Sequence, residues 1–313
     1  MSKRGHEIKM IYFICVHFVC RDLQSCLFLT MAAPENNRGS RWDDDGDPPS
    51  LSIEVEKLSD LPKTSKPWSN GHLPVDILIL TVENCEFLAC HYYLRDAFRS
   101  YCQALGYVYF GNMGDQDKPW KVALVKCSKG SSDPGSSQTA VTNAVTLLRP
   151  KITFCVGFCK DLNHENTNLG DVVISCKLTT DAYKTPVSRD VGNLVRNAAD
   201  GWRPPLECPE AFREVKVHCD GEILSCPGPL SAEQQRKLHP EAIAVEMEGK
   251  GEIDLPGTAS ELITGFVRVL ENLEFCYGIF QDWKVVEKGY WSWKVLEICL
   301  TRVKDMKCMA DSK

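Results

Sequence analysis

None of the 16 cysteines stands at CxxC spacing, so the chain carries no zinc-knuckle or dithiol redox signature. Cys15/Cys20, Cys85/Cys90, Cys155/Cys159 and Cys219/Cys226 are all spaced differently, and most cysteines lie in apolar runs. There a thiol packs as a small hydrophobe, which favours a reducing, cytosolic setting. No aromatic-interleaved basic stripe is present, and the net charge is −6. Both argue against a nucleic-acid partner. No charge-free run approaches the ~20 residues a membrane-crossing helix needs. The N-terminal stretch 10–20 is 11 residues long and stops at Arg21-Asp22. Internal repeats are lacking too. What remains is a 313-residue chain, 25% charged, with sequence for one large core or two modest ones.

The ends of the chain differ from its middle. A basic start followed by the 10–20 run has the outline of a secretory signal, with a weak cleavage site. Met31-Ala-Ala-Pro resembles an alternative start, and residues 1–30 are expected to be an apolar extension outside the fold. Residues 31–72, including Asp-Asp-Asp-Gly-Asp-Pro-Pro at 43–49, are too polar to offset ordering entropy, which predicts a flexible segment. The folded domain is expected over 73–313. A cytoplasmic protein is the favoured reading and secretion the alternative.

From 73 onward, strands and helices alternate. Val-Asp-Ile-Leu-Ile-Leu at 75–80 reads as a strand covered on both faces. Residues 85–105 read as a helix with an irregular apolar face (Phe87, Leu88, Leu94, Phe98), then short strands at 107–110 and 121–126. Ala140, Val141, Ala144, Val145 and Leu148 recur at helical spacing over 137–148, and Pro150 stops that helix. Residues 152–156 are an apolar strand, so the order is strand–helix–strand, the unit of a parallel sheet. Gly157 follows, then a polar loop, Gly170-Asp171 and a strand at 172–174. Further on, 190–199 reads as a surface helix, the proline-rich 202–209 as loop, 215–218 as strand, Asp220-Gly221 as turn and 243–245 as strand. The fold class is α/β, a mixed sheet between helix layers, with ligands expected at the carboxyl ends of its strands.

Two motifs make the chain recognisable. Val156-Gly157-Phe158 with Leu-Gly-Asp-Val-Val at 169–173, and Ala-Val-Glu-Met-Glu-Gly at 244–249, resemble the purine nucleoside phosphorylase/uridine phosphorylase superfamily. The likeness is closest to its methylthioadenosine/adenosylhomocysteine nucleosidase branch, and it covers 74–249 far better than 250–313. It implies a three-layer α/β/α fold and cleavage of the N-glycosidic bond of a purine nucleoside by water or phosphate. It implies no metal or organic cofactor, with phosphate as a co-substrate if phosphorolysis applies. The partners implied are a small-molecule nucleoside and further copies of the chain.

The resemblance also assigns residues. Glu86 matches the glutamate that activates the attacking water; Glu83 is the rival, and a helix N-terminal carboxylate favoured by the dipole is the plain alternative. Glu248 matches the carboxylate that holds the ribose hydroxyls, with Met247 against the sugar and Glu246 beside it. Phe158 would lie near the nucleoside, or in the core. Ile223 and Ser225 match a loop approaching the base, and Ser128 and Gly130 stand where some phosphorylases bind phosphate.

Two departures stand out. After Gly249 the chain reads Lys-Gly-Glu-Ile-Asp-Leu-Pro-Gly at 250–257, which opposes the family's helix. Thr258-Ala-Ser-Glu261 then forms a capping-box pattern, predicting a helix with Leu262, Ile263, Phe266, Leu270 and Leu273 on its apolar face. The family also places an aspartate after a Val-Val-Lys-Gly-like strand to protonate the leaving purine. The nearest match, 285–293, has none, and Asp282 precedes it. The alternative function is therefore a nucleoside-binding module with weak or no catalysis.

Overall fold

The computed structural model describes residues 11–20, 52–114, 116–130, 135–162, 167, 171–180, 184–186, 196, 216–226, 232–247, 262–263 and 265–271. Its strands are β1 (Ile11–Cys20), β2 (Ile77–Thr81), β3 (Arg95–Cys102), β4 (Gly106–Met113), β5 (Trp120–Lys126), β6 (Ile152–Asp161), β7 (Val172–Thr179), β8 (Lys184–Pro186), β9 (Val217–Ser225), β10 (Ala242–Glu246), β11 (Leu262–Ile263) and β12 (Gly265–Glu271). Three α-helices are described, α1 (Asn84–Tyr92), α2 (Ser137–Leu148) and α3 (Ala232–Leu238), with one 3-10 turn at Asn70–His72.

The strands form one mixed sheet in the order β11-β1-β12-β7-β9-β10-β6-β2-β5-β4-β3, with β8 on β7. β2 lies parallel between β5 and β6, and all five of its residues are buried. That is the covered central strand its unbroken apolar run predicts. Leu78, Leu80, Ala123, Val125, Val108 and Phe110 share one cluster with Ala140, Val141, Ala144 and Leu148 of α2. Strand alternation sends Tyr109 the other way, where it meets Phe87 of α1 at 4.9 Å between ring centroids. The two helices therefore cover opposite faces, giving the three layers. Each fully buried leucine in this core contributes about 1.5–3 kcal/mol.

Several sequence expectations are corrected. The helix over 85–105 ends at Tyr92, and Arg95–Cys102 is a strand hairpinned to β4. Cross-strand aromatic pairing explains it: Phe98 stacks on Phe110 at 5.3 Å, and Tyr101 meets Tyr107 edge-on at 5.3 Å. Asp220-Gly221 is no turn but lies inside β9. Gly221 leaves room for Ile243 on the adjoining strand, whose Cδ1 would stand 2.4 Å from an added Cβ. The helix expected from 258 onward is instead β11 and β12, the latter antiparallel to β7 from Phe266↔Ser175 to Val269↔Val172. Gly265 and the β-branched Val267 and Val269 suit that pairing better than a helix.

Ile11–Cys20, expected outside the fold, forms β1 within the sheet. Order also begins before 73. Val55 and Leu61 are buried, Lys66 N–H donates to Arg99 O at 2.8 Å, and Trp68 sits edge-on to Phe110 at 5.5 Å. Apolar residues spaced through a polar segment were enough to dock it. The surface helix at 190–199 (apart from Arg196), the loop at 202–209 and the tail from 272 lie outside the described residues.

Candidate active site

The parallel strands β2 and β5 end together: Cys127 N–H donates to Thr81 O at 2.7 Å. α1 begins three residues beyond β2, and its entry is organised by one side chain. Glu86 is buried, and its Oε2 accepts the N–H groups of Val82 and Glu83, each at 2.8 Å. Its Oε1 accepts Phe158 N–H from β6 at 3.1 Å. One carboxylate thus joins the end of β2, the start of α1 and the middle of β6, a charge-assisted set stronger than neutral bonds.

The rival carboxylate is placed differently. Glu83 is the residue before α1, and its Oε1 pairs with Lys129 Nζ at 2.6 Å on the surface. Cys90, deep on the same helix, has its thiol pushed well up by burial, with the Glu86 charge adding to it.

The strand register brings the other motif to the same place. Val245 stands opposite Lys160 on β6, two residues from Phe158, and Glu246 follows it in β10. Glu246 is opposite Ser225 at the end of β9, and its carbonyl accepts Cys226 N–H at 3.0 Å. Ser225 and Glu246 are buried, and Met247 is 36% exposed just beyond the strand. Glu248 lies outside the described residues. Ile223 is wholly buried in the main core cluster with Leu178 and Ala244, the packing position of a β9 residue facing inward.

Ser128 and Gly130 follow β5 on the same edge. Ser128 N–H donates to Gly135 O at 2.9 Å, and Gly130 O accepts Ser137 N–H at 3.3 Å. Gly130 and Gly135 have φ of 84° and 78°, which glycine adopts without strain. Lys126, hydrogen-bonded to Asn84 Oδ1, and Lys129 bring two cations here that the sequence reading did not single out. Their position directly after an apolar strand was the available signal.

A second polar cluster lies elsewhere. A cavity of about 280 Å³ is lined by residues that include Lys177, His218, Asp220, Glu222 and Glu241. Buried Glu222 receives Lys177 Nζ at 2.7 Å, Lys184 Nζ at 3.1 Å and the Thr179 hydroxyl. Burial pushes the Glu222 carboxyl up, but the hydrogen bonds from Lys177, Thr179 and Lys184 outweigh it and the net direction is down. Asp171, fully buried, pairs with His218 Nε2 at 3.0 Å. Among the described residues no group of three His, Cys, Asp or Glu is placed to hold a metal, and no helix is long and apolar enough to cross a membrane.

No protein-family model matches the chain. A death domain-containing ATP nucleosidase of Amphimedon queenslandica is 25% identical over 174 residues, 46% of this chain. The match spans about one third, 32%, of that relative's length. Among solved structures, a 5′-methylthioadenosine/S-adenosylhomocysteine nucleosidase of Streptococcus pneumoniae, held with a transition-state inhibitor, superposes with a TM-score of 0.56 at 17% identity. It covers 72% of this chain and 98% of its own. Futalosine hydrolase of Helicobacter pylori gives 0.53 at 15% identity, covering 74% of this chain and 100% of its own. The chain shares the α/β fold of these two solved structures.

Proposed function

We propose that the chain cleaves the N-glycosidic bond of an adenine nucleoside or nucleotide at the edge where β2, β6, β9 and β10 meet. The observation that carries this reading is the convergence of Glu86, Phe158, Ser225 and Glu246, distant in sequence, on one edge of a nucleosidase-like sheet. In this reading Glu86 takes a proton from the attacking water as the water oxygen bonds to C1′ and the bond to the base breaks. Removing such a base costs about 10²–10⁴ in rate. Glu248, with Glu246 and Met247 beside it, holds the ribose hydroxyls, since a carboxylate accepts from two hydroxyls at once. Phe158 and Ser225 shape the base side, while Ile223 packs in the core behind them. Ser128 and Gly130, flanked by Lys126 and Lys129, receive an anionic group, either free phosphate or a 5′-phosphate of the substrate. The relative's activity on ATP, as its name gives it, motivates including nucleotides. Homo-oligomers belong to the same proposal and are read by light scattering.

The absence of an aspartate in 285–293 favours the second reading, binding with little or no cleavage. Purified protein incubated with adenosine, methylthioadenosine, adenosylhomocysteine and ATP, with and without phosphate, separates them. Free base released in water supports hydrolysis, and release only with phosphate supports phosphorolysis. Affinity without release moves the conclusion to the binding module. Neither affinity nor release from folded protein sinks both.

A further inference from the structure

His91, in the last turn of α1, is a buried titratable group that the proposed reaction leaves unused; its side chain is 5% exposed. Nδ1 lies 2.9 Å from Glu56 Oε2. Nε2 is buried with no hydrogen-bond partner among the described residues. The ring is flanked by Phe87, stacked at 6.1 Å, and by Tyr109, edge-on at 5.5 Å. Glu56 belongs to the segment 52–68, which the sequence marks as a polar lead-in but which is laid down on the domain. Val55 and Leu61 are buried, Ser65 bridges Arg99, and Lys66 N–H donates to Arg99 O. Among the described residues, the titratable groups facing the imidazole are thus Glu56 from this segment and Tyr109 from β4.

We propose that residues 52–68 are an acid-released strap, clasped to α1 through the Glu56–His91 contact. The neutral imidazole donates Nδ1–H to the Glu56 carboxylate and leaves a bare lone pair at Nε2, a tolerable arrangement among aromatic rings. A second proton puts an N–H donor at Nε2, where it finds no acceptor, and a buried unsatisfied charged donor is costly. Lifting the strap gives the ring water, so each release takes up one proton. The directions agree. Burial pushes the imidazole below its ordinary range, and the Glu56 carboxylate pulls only partly back. A histidine depressed in the closed state holds the strap above the ordinary imidazole value and releases it as pH falls through the depressed one. This inference is independent of nucleoside cleavage.

Amide hydrogen exchange of the full chain, followed by mass spectrometry and corrected for intrinsic rates, tests it. Peptides in 52–68 should exchange about tenfold faster at about pH 5 than at about pH 7.5, while β2 and β5 stay protected. His91→Asn keeps a donor near the Nδ1 position and cannot take the proton, so the strap should stay protected at both pH values. Glu56→Gln removes the carboxylate that stabilises a protonated ring in the closed state and weakens the clasp, so release should move to higher pH. Equal exchange at both pH values in the unmodified chain overturns the proposal, as does acid-accelerated exchange in His91→Asn. Should His91→Asn not fold, an unshifted release midpoint in Glu56→Gln, a change at a half-exposed residue, overturns it instead.

Discussion

Glu86 and Glu222 are equally buried, yet one ends a strand–helix crossover and the other sits within a ladder. Glu86 accepts backbone N–H groups from three elements at the carboxyl edge of the sheet. Glu222 draws its partners from side chains, Lys177, Lys184 and Thr179, on the neighbouring strands. Burial alone therefore does not assign a carboxylate its role. Backbone donors orient a carboxylate without neutralising it, whereas two ammonium groups cancel its charge. The first arrangement suits a residue that must act on a ligand, and the second suits one that locks β7, β8 and β9 together.

The largest effect should come from the first site. Glu86→Gln should lower base release by about 10²–10⁴-fold with affinity retained, read by chromatography and calorimetry. Unchanged turnover would reassign Glu86 to holding α1 against β6. At the second site the pattern should invert. Glu222→Gln leaves Lys177 and Lys184 without their counter-charge and should cost about 1–3 kcal/mol in denaturant unfolding, with turnover per folded molecule unchanged. Loss of turnover there would erase the distinction.

Acid should separate the regions further. Glu222 is depressed when folded, so its contribution is complete above the ordinary glutamate range and lost as pH falls through the depressed value. His91 is also depressed, so its loss begins higher, below about 6.5. Melting temperature against pH should fall in two steps; His91→Asn should remove the upper one and Glu222→Gln the lower. The smallest effect concerns thiols. Cys90, pushed up by burial and by Glu86, should resist alkylation in the folded protein while partly exposed Cys102 and Cys219 label before it, by peptide mass mapping.

Much of this was legible in the sequence where a single local pattern dominates. β2 and β5 show unbroken apolar runs, α2 a clean helical period with Pro150 behind it, and Glu86 falls just past a strand end. The misreadings share a cause, which is that distant partners decide. Arg95–Cys102 is a strand because Phe98 and Tyr101 find Phe110 and Tyr107 across a hairpin. Gly221 looks like a turn residue until Ile243 packs against it. The Glu222 network joins residues 45 apart in sequence, and no local pattern announces it. The strap was hidden because Val55, Leu61 and Trp68 are thinly spread through polar neighbours.

The most direct test is a crystal structure with an uncleavable adenosine analogue. The account predicts ribose density against Glu246, Met247 and Glu248, with C1′ facing Glu86 and the base toward Ser225 and Phe158. Density in the cavity between Lys177, His218 and Glu241, with the Glu86 edge empty, would contradict it.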